Sequence, residues 1–109
     1  MAQGLAWGDV RLVELGPPDK RRPVVILTRS SAIPFLNAVT VAPVTRTVRG
    51  IPTEIVLGQE SGLKETSAAC LDAVQTVSKR RIGRYLGAVP ACRKAELRAA
   101  LLFALELDG

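Results

Sequence analysis

The chain has 109 residues, enough to close one hydrophobic core and too few for a second, so a single domain over residues 1–109 is expected. Hydrophobic residues make up 48% and mean hydropathy is +0.22, yet no run approaches the ~20 apolar residues of a membrane span and the opening MAQGLAWGDV lacks signal-peptide order. A cytoplasmic protein with no membrane association is therefore expected, carrying more apolar surface than a small domain hides alone and so expected to oligomerise; its net charge of +5, dominated by arginine, tilts it toward polyanionic partners.

In chain order, Asp9 to Leu15 (DVRLVEL) alternates with the period of a half-buried strand, and GPPD ends it. Pro23 to Thr28 is apolar on both faces and is expected to be central, with the proline tolerated at the first strand position. Arg29 to Asn37 is a loop. Val39 to Val44 (VTVAPV) is a third strand, in which Pro43 removes a ladder donor and marks an edge or bulge. After the basic turn RTVRG, a fourth strand is expected over Thr53 to Leu57, a fifth over Ser67 to Thr76 and a short sixth over Tyr85 to Val89, with SKRRIG forming one helical turn between the last two.

From Ala91 to Leu107 the pattern changes. Leu97, Ala100, Leu101, Ala104 and Leu105 recur at three and four residues, the stripe of an amphipathic helix. The expected class is therefore mainly β with α (α+β): a strongly bent antiparallel sheet or small barrel with a C-terminal helix packed on it.

There is no histidine, which removes serine–histidine hydrolysis, the two-histidine style of ribonuclease and the usual imidazole metal ligands. Carboxylates are scattered, no spacing calls for a metal, and no glycine-rich nucleotide loop occurs, so neither metal nor cofactor is expected. Cys70 and Cys92 are expected to be reduced and buried. The only tryptophan and tyrosine, Trp7 and Tyr85, are expected to pack, and so few aromatics argue against affinity for a polyanion built mainly on base stacking.

Arginine and threonine remain. In KRRPVVILTRS, Pro23 pushes Arg22 toward extended geometry, and alternation puts Arg22 on the face of Val24 and Ile26 while Arg21 shares the face of Pro23 and Val25. A cation rooted at the rim of a rigid strand can meet a phosphate, or can cap the strand end in solvent. Thr45 is equally two-sided: it can begin a turn, or its hydroxyl can donate to a phosphate oxygen beside a guanidinium.

The segments GDVRLVELGPP, RRPVVIL, NAVTVAPVT, PTEIVL and DAVQTVSKRRIG, in this order and spacing, resemble the MazF/PemK family of toxins, the endoribonucleases of bacterial type II toxin–antitoxin pairs. The resemblance runs from Gly8 to the terminal helix. It implies a small SH3-like barrel with a C-terminal helix, a homodimer, and a cognate MazE-like antitoxin whose acidic tail lies on a basic surface. It further implies sequence-specific, metal-independent cleavage of single-stranded RNA, leaving 2′,3′-cyclic phosphate and 5′-hydroxyl ends. By position in the motifs, Arg22 and Thr45 correspond to the family's catalytic pair.

Asp19, Lys20, Arg21, Arg46 and Arg49 flank that pair and are candidate RNA contacts, as is Gln75 in the segment relatives use for base recognition. Two departures stand out: the loop before the Arg-Pro pair is short, and Ala73 and Gln75 precede Thr76 where many relatives carry glutamine and then arginine. For the basic run Lys79 to Arg84, a solvated face and an RNA-binding face are both open. Two other functions fit a barrel of this kind: a CcdB-like toxin that binds DNA gyrase without catalysis, and a basic RNA-binding module that does not cleave.

Overall fold

The computed structural model describes residues 4–16 and 20–109. The strands are β1 (Asp9–Gly16), β2 (Lys20–Ile26), β3 (Ala38–Thr45), β4 (Glu54–Leu57), β5 (Ser67–Cys70), β6 (Gln75–Ser78) and β7 (Ile82–Ala88), followed by one α-helix, α1 (Lys94–Ala104). They form a curled antiparallel sheet in the order β4-β5-β3-β2-β1-β7, with β6 also paired to β3. The mainly β architecture with a C-terminal helix matches the expectation. No helix among the described residues is long and apolar enough to cross a membrane.

β2 is central because it is apolar on both sides. Val25 enters the larger core with Val10, Val44, Ile55, Leu57 and Leu71, while Val24 and Ile26 enter a second core with Val13, Val39, Val41 and Ile82. Leu97 and Ala100 of α1 join the larger core, so the helix closes one face of the sheet.

Several elements depart from the sequence expectation. β2 begins at Lys20, so Pro23 is not its first residue; it lies opposite Leu12 inside the β1–β2 ladder. β1 is buried on both faces rather than one: Val13 is fully buried, and Arg11 is buried with its Nε donating to the Gly83 carbonyl at 3.0 Å. The single fifth strand is two, β5 and β6, separated by a 3₁₀ turn at Leu71–Ala73. Both halves pair with β3, Ala69 facing Val44 and Gln75 facing Val41, and the turn absorbs the extra residues between these pairings. Pro43 falls in the gap where β3 passes from β6 to β5, so its missing N–H is tolerated.

The expected sixth strand starts earlier, at Ile82, and the expected helical turn before it is a 3₁₀ turn at Lys79–Arg81. The helix is shorter than its apolar stripe: α1 stops at Ala104, and Leu105 is exposed. Cys70 is buried as expected, but Cys92 is exposed. Trp7 packs partly against the larger core under the cations of Lys94 and Arg98, whereas Tyr85 is 54% exposed and lies outside both cores, its ring meeting only the Arg11 guanidinium at 5.8 Å among the ring contacts of the described residues.

One close approach fixes β7 against the rest. Gly62 has φ +83°, and a Cβ there would lie 1.8 Å from the Leu86 carbonyl oxygen; a Cβ on Gly87 would lie 2.4 Å from that of Ser61. Only glycine lets these backbones meet.

Candidate active site

Arg22 lies near the start of β2, facing Val13 of β1, and Thr45 is the last residue of β3. The β2–β3 ladder runs Ile26 to Val41, Val25 to Ala42 and Val24 to Pro43. Continuing this register by two residues puts Arg22 opposite Thr45, on the same side of the sheet. There β3 has already turned to pair with β5, Thr45 facing Ala68, and the strands open between the two side chains.

A cavity of about 530 Å³ occupies this opening, and both Arg22 and Thr45 line it. Each is half-buried. Leu12, Pro23, Val44, Leu63 and Leu86 give it an apolar floor; Arg21, Arg46, Lys64 and Arg84 surround it with positive charge, and Glu65 is its one carboxylate among the described residues. Thr45 Oγ1 accepts the Thr47 N–H at 3.2 Å, a bond that leaves the hydroxyl proton available to an acceptor in the cavity. The apolar floor limits water near the guanidinium, which strengthens its attraction for an anion.

The other sequence candidates divide. Arg21 lines the cavity and donates through Nε to Glu14 Oε2 at 2.9 Å; Arg46 lines it and pairs with Glu65 at 3.2 Å. Both pairs are exposed and weak. Arg49 is not a cavity residue: its Nε donates to Glu54 Oε2 at 2.6 Å and its Nη2 lies 3.4 Å from Asp72. Gln75 is exposed on β6, away from the cavity lining. Asp19 and the Lys20 side chain lie outside the described residues. Among those that are described, no group of three or more cysteine or carboxylate side chains could hold a metal ion.

The Arg49 pairing shapes a segment next to the site. The Glu54 carboxylate is almost wholly buried and accepts the backbone N–H groups of Arg49 and Gly50 as well as the guanidinium. Burial pushes its pKa up, but the Arg49 side-chain bond, the backbone bonds and the cationic charge together hold it below the ordinary 4.5. The basic loop after Thr45 is thereby tied down at the entry to β4.

The family described as "PemK-like, MazF-like toxin of type II toxin-antitoxin system" matches residues 6–105. The chain belongs to this family. This PemK/MazF-like toxin is 39% identical over 99 residues to "Endoribonuclease MazF3" of Mycobacterium tuberculosis, covering 91% of the chain and 96% of that relative. Its fold superposes on Mycobacterium tuberculosis toxin MazF-mt6 with a TM-score of 0.85 at 39% identity, covering 93% of this chain and 99% of the other. A mycobacterial endoribonuclease solved in complex with its cognate antitoxin gives a TM-score of 0.86 at 27% identity, covering 97% and 99%.

The toxin's cavity also contains residues that sequence reasoning did not select. Lys64 and Glu65 come from the segment between the Gly62 contact and β5, Ser67 begins β5, and Arg84 comes from β7. Arg84 was visible as part of a basic run. The others had no local signal, because only the close packing at Gly62 and Gly87 brings that segment to the rims of β2 and β3.

Proposed function

We propose that this toxin is a sequence-specific endoribonuclease that cleaves single-stranded RNA without a metal. The observation that carries this reading is the shared cavity of Arg22 and Thr45, half-buried and rimmed with cations. Its relatives' designation as endoribonucleases supports the same reading.

The ribose 2′-oxygen gives up its proton to solvent and bonds to the adjacent phosphorus, the P–O5′ bond breaks, and the leaving 5′-oxygen takes a proton from solvent, giving a 2′,3′-cyclic phosphate and a 5′-hydroxyl end. Arg22 neutralises negative charge that grows on the phosphorane oxygens. Thr45 donates a hydrogen bond from its hydroxyl to a non-bridging oxygen and orients the group. Because a guanidinium deprotonates only at high cost, the chief role of Arg22 is electrostatic rather than that of a base. DNA lacks the attacking hydroxyl and is not cut.

The toxin acts as a homodimer restrained by an antitoxin with an acidic segment. Exposed Leu102, Phe103, Leu105 and Leu107 supply apolar surface suited to self-association, and the cationic cavity suits an acidic partner.

Incubation with mixed-sequence RNA in EDTA, followed by mapping of the new ends, tests this function. Site-specific cuts with 5′-hydroxyl ends are expected, and Arg22→Ala or Thr45→Ala is expected to lower kcat on the order of 100-fold or more. Intact RNA with inhibition of gyrase would assign the CcdB-like role instead, and intact RNA with salt-sensitive binding the non-cleaving module.

A further inference from the structure

A second cavity of about 460 Å³ adjoins the first, and Leu12, Arg21 and Arg84 line both. Its remaining polar wall is Glu14, Arg80 and Arg81. The two cavities therefore adjoin at these residues and together trace a groove from the Arg22–Thr45 site across β1 to the turn before β7.

That turn is held firmly. The Ser78 hydroxyl accepts the Arg80 N–H at 3.3 Å, the Lys79 N–H donates to the Asn37 carbonyl at 2.9 Å, and Lys79 Nζ donates to the Ile33 carbonyl at 2.9 Å. Directly after it, Arg11 Nε binds the Gly83 carbonyl. Lys79 is therefore used within the fold, while Arg80, Arg81 and Arg84 extend into solvent along the groove.

Their pairing differs from that of several other arginines. Arg21, Arg46, Arg49 and Arg93 each lie against a carboxylate. Arg80, Arg81 and Arg84 have no ion pair among the described residues, and Glu14, the one carboxylate in this cavity's lining, is bonded to Arg21. Three like charges clustered on a fixed turn and strand repel one another until a polyanion neutralises them, and guanidinium forks match phosphate oxygens.

We propose that Arg80, Arg81 and Arg84 form a phosphate-binding track for the RNA strand whose scissile linkage lies at Arg22 and Thr45. The proposal rests on the RNA-cleaving reading and adds a substrate-holding surface to it. Since guanidinium–phosphate contacts carry no base information, the track raises affinity alike for all sequences and leaves the choice of cleavage site to other residues.

The test compares wild type with Arg80→Ala/Arg81→Ala. Binding of a mixed-sequence 2′-O-methyl oligonucleotide, which cannot supply the attacking hydroxyl, is measured across a salt titration, and RNA cleavage is measured separately. In the variant, Kd is expected to rise about tenfold at low salt, and the slope of log K against log salt to become shallower by about 0.7 for each cation removed. The loss in cleavage falls mainly on KM, with the cut sites unchanged. Arg80→Lys/Arg81→Lys restores the slope, because charge sets it.

Arg84→Ala, in β7 rather than in the turn, provides a separate measure with the same direction of change. Wild-type Kd, slope and KM in these variants would overturn the track. So would weakened binding of an acidic peptide with RNA binding intact, which would assign the surface to a protein partner. A wild-type protein that binds the oligonucleotide through these arginines but never cuts RNA sinks the nuclease reading while the track stands.

Discussion

Two arginine clusters on opposite sides of β3 are used in opposite ways. On the β4–β5 side, Arg49 binds Glu54 and Asp72, and Arg93 binds Glu96 and Glu60, so guanidinium groups tie a loop to a strand and α1 to the turn at Gln59–Ser61. On the β1–β7 side, Arg80, Arg81 and Arg84 line an open groove without carboxylate partners among the described residues. The net charge of +5 is thus not a uniform coat. Arg49 and Arg93, matched by carboxylates, contribute to folding, while Arg80, Arg81 and Arg84 add to the field of the groove.

The largest expected effect lies where the two sides join. Gly62 follows the turn that contains Glu60, meets β7 at Leu86 and lines the Arg22–Thr45 cavity. Gly62→Ala places a methyl group against a carbonyl and strains a left-handed backbone, at a cost on the order of 3 kcal/mol or more. Thermal melting is expected to show a large loss of stability, and cleavage falls with it. A variant that melts like wild type would show that the two halves do not depend on this contact.

Next in size is Glu54→Gln, which affects the paired side alone. The folded pKa of Glu54 is below its ordinary 4.5, so its contribution is present above that value and is lost as pH falls through and beneath it. Asp9 acts in the opposite sense: burial raises its pKa above 3.8 despite the Ala6 N–H and Arg11, so acid relieves an unfavourable charge there. Glu54→Gln is expected to lower the neutral-pH melting temperature by about 5–10 °C, and the difference from wild type should shrink in acid. Oligonucleotide affinity remains that of wild type; a large change in it would mean that Arg49 belongs to the binding surface after all.

The contrast between the two sides was only partly legible in the sequence. The apolar run after Pro23 and the alternation of VTVAPV located the central strands, and the three-and-four spacing of Leu97, Ala100 and Leu101 located the helix. The break between β5 and β6 was hidden, because CLDA contains neither glycine nor proline and an uninterrupted strand fits it equally well. Arg11 gave no sign of burial, since its hydrogen bond to Gly83 forms only when β7 pairs with β1. At the site, Arg22 and Thr45 were identified through the resemblance, and the ladder then explains why residues so far apart in sequence share a cavity. Which arginines pair with carboxylates is a tertiary property: Arg49 and Arg80 both sit in basic stretches, RTVRG and SKRRIG, with no carboxylate inside either.

The smallest effect is the most selective test of the comparison. Glu14→Gln and Asp72→Asn each remove one carboxylate from an arginine pair, Arg21 in the groove and Arg49 outside it. Glu14 is an exposed partner, and its loss is expected to change stability by no more than about 0.5 kcal/mol. The groove, however, gains a released Arg21 and loses the carboxylate that lines it beside Arg80 and Arg81. Oligonucleotide Kd is therefore expected to fall about threefold at low salt for Glu14→Gln, and the gain should fade at high salt as screening shortens the reach of the added charge. Asp72→Asn makes the same change in net charge away from the groove and should leave Kd within error of wild type. Equal effects from the two substitutions would mean that net charge alone draws the polyanion; unequal effects would mean that position matters, because the groove concentrates charge where the strand lies.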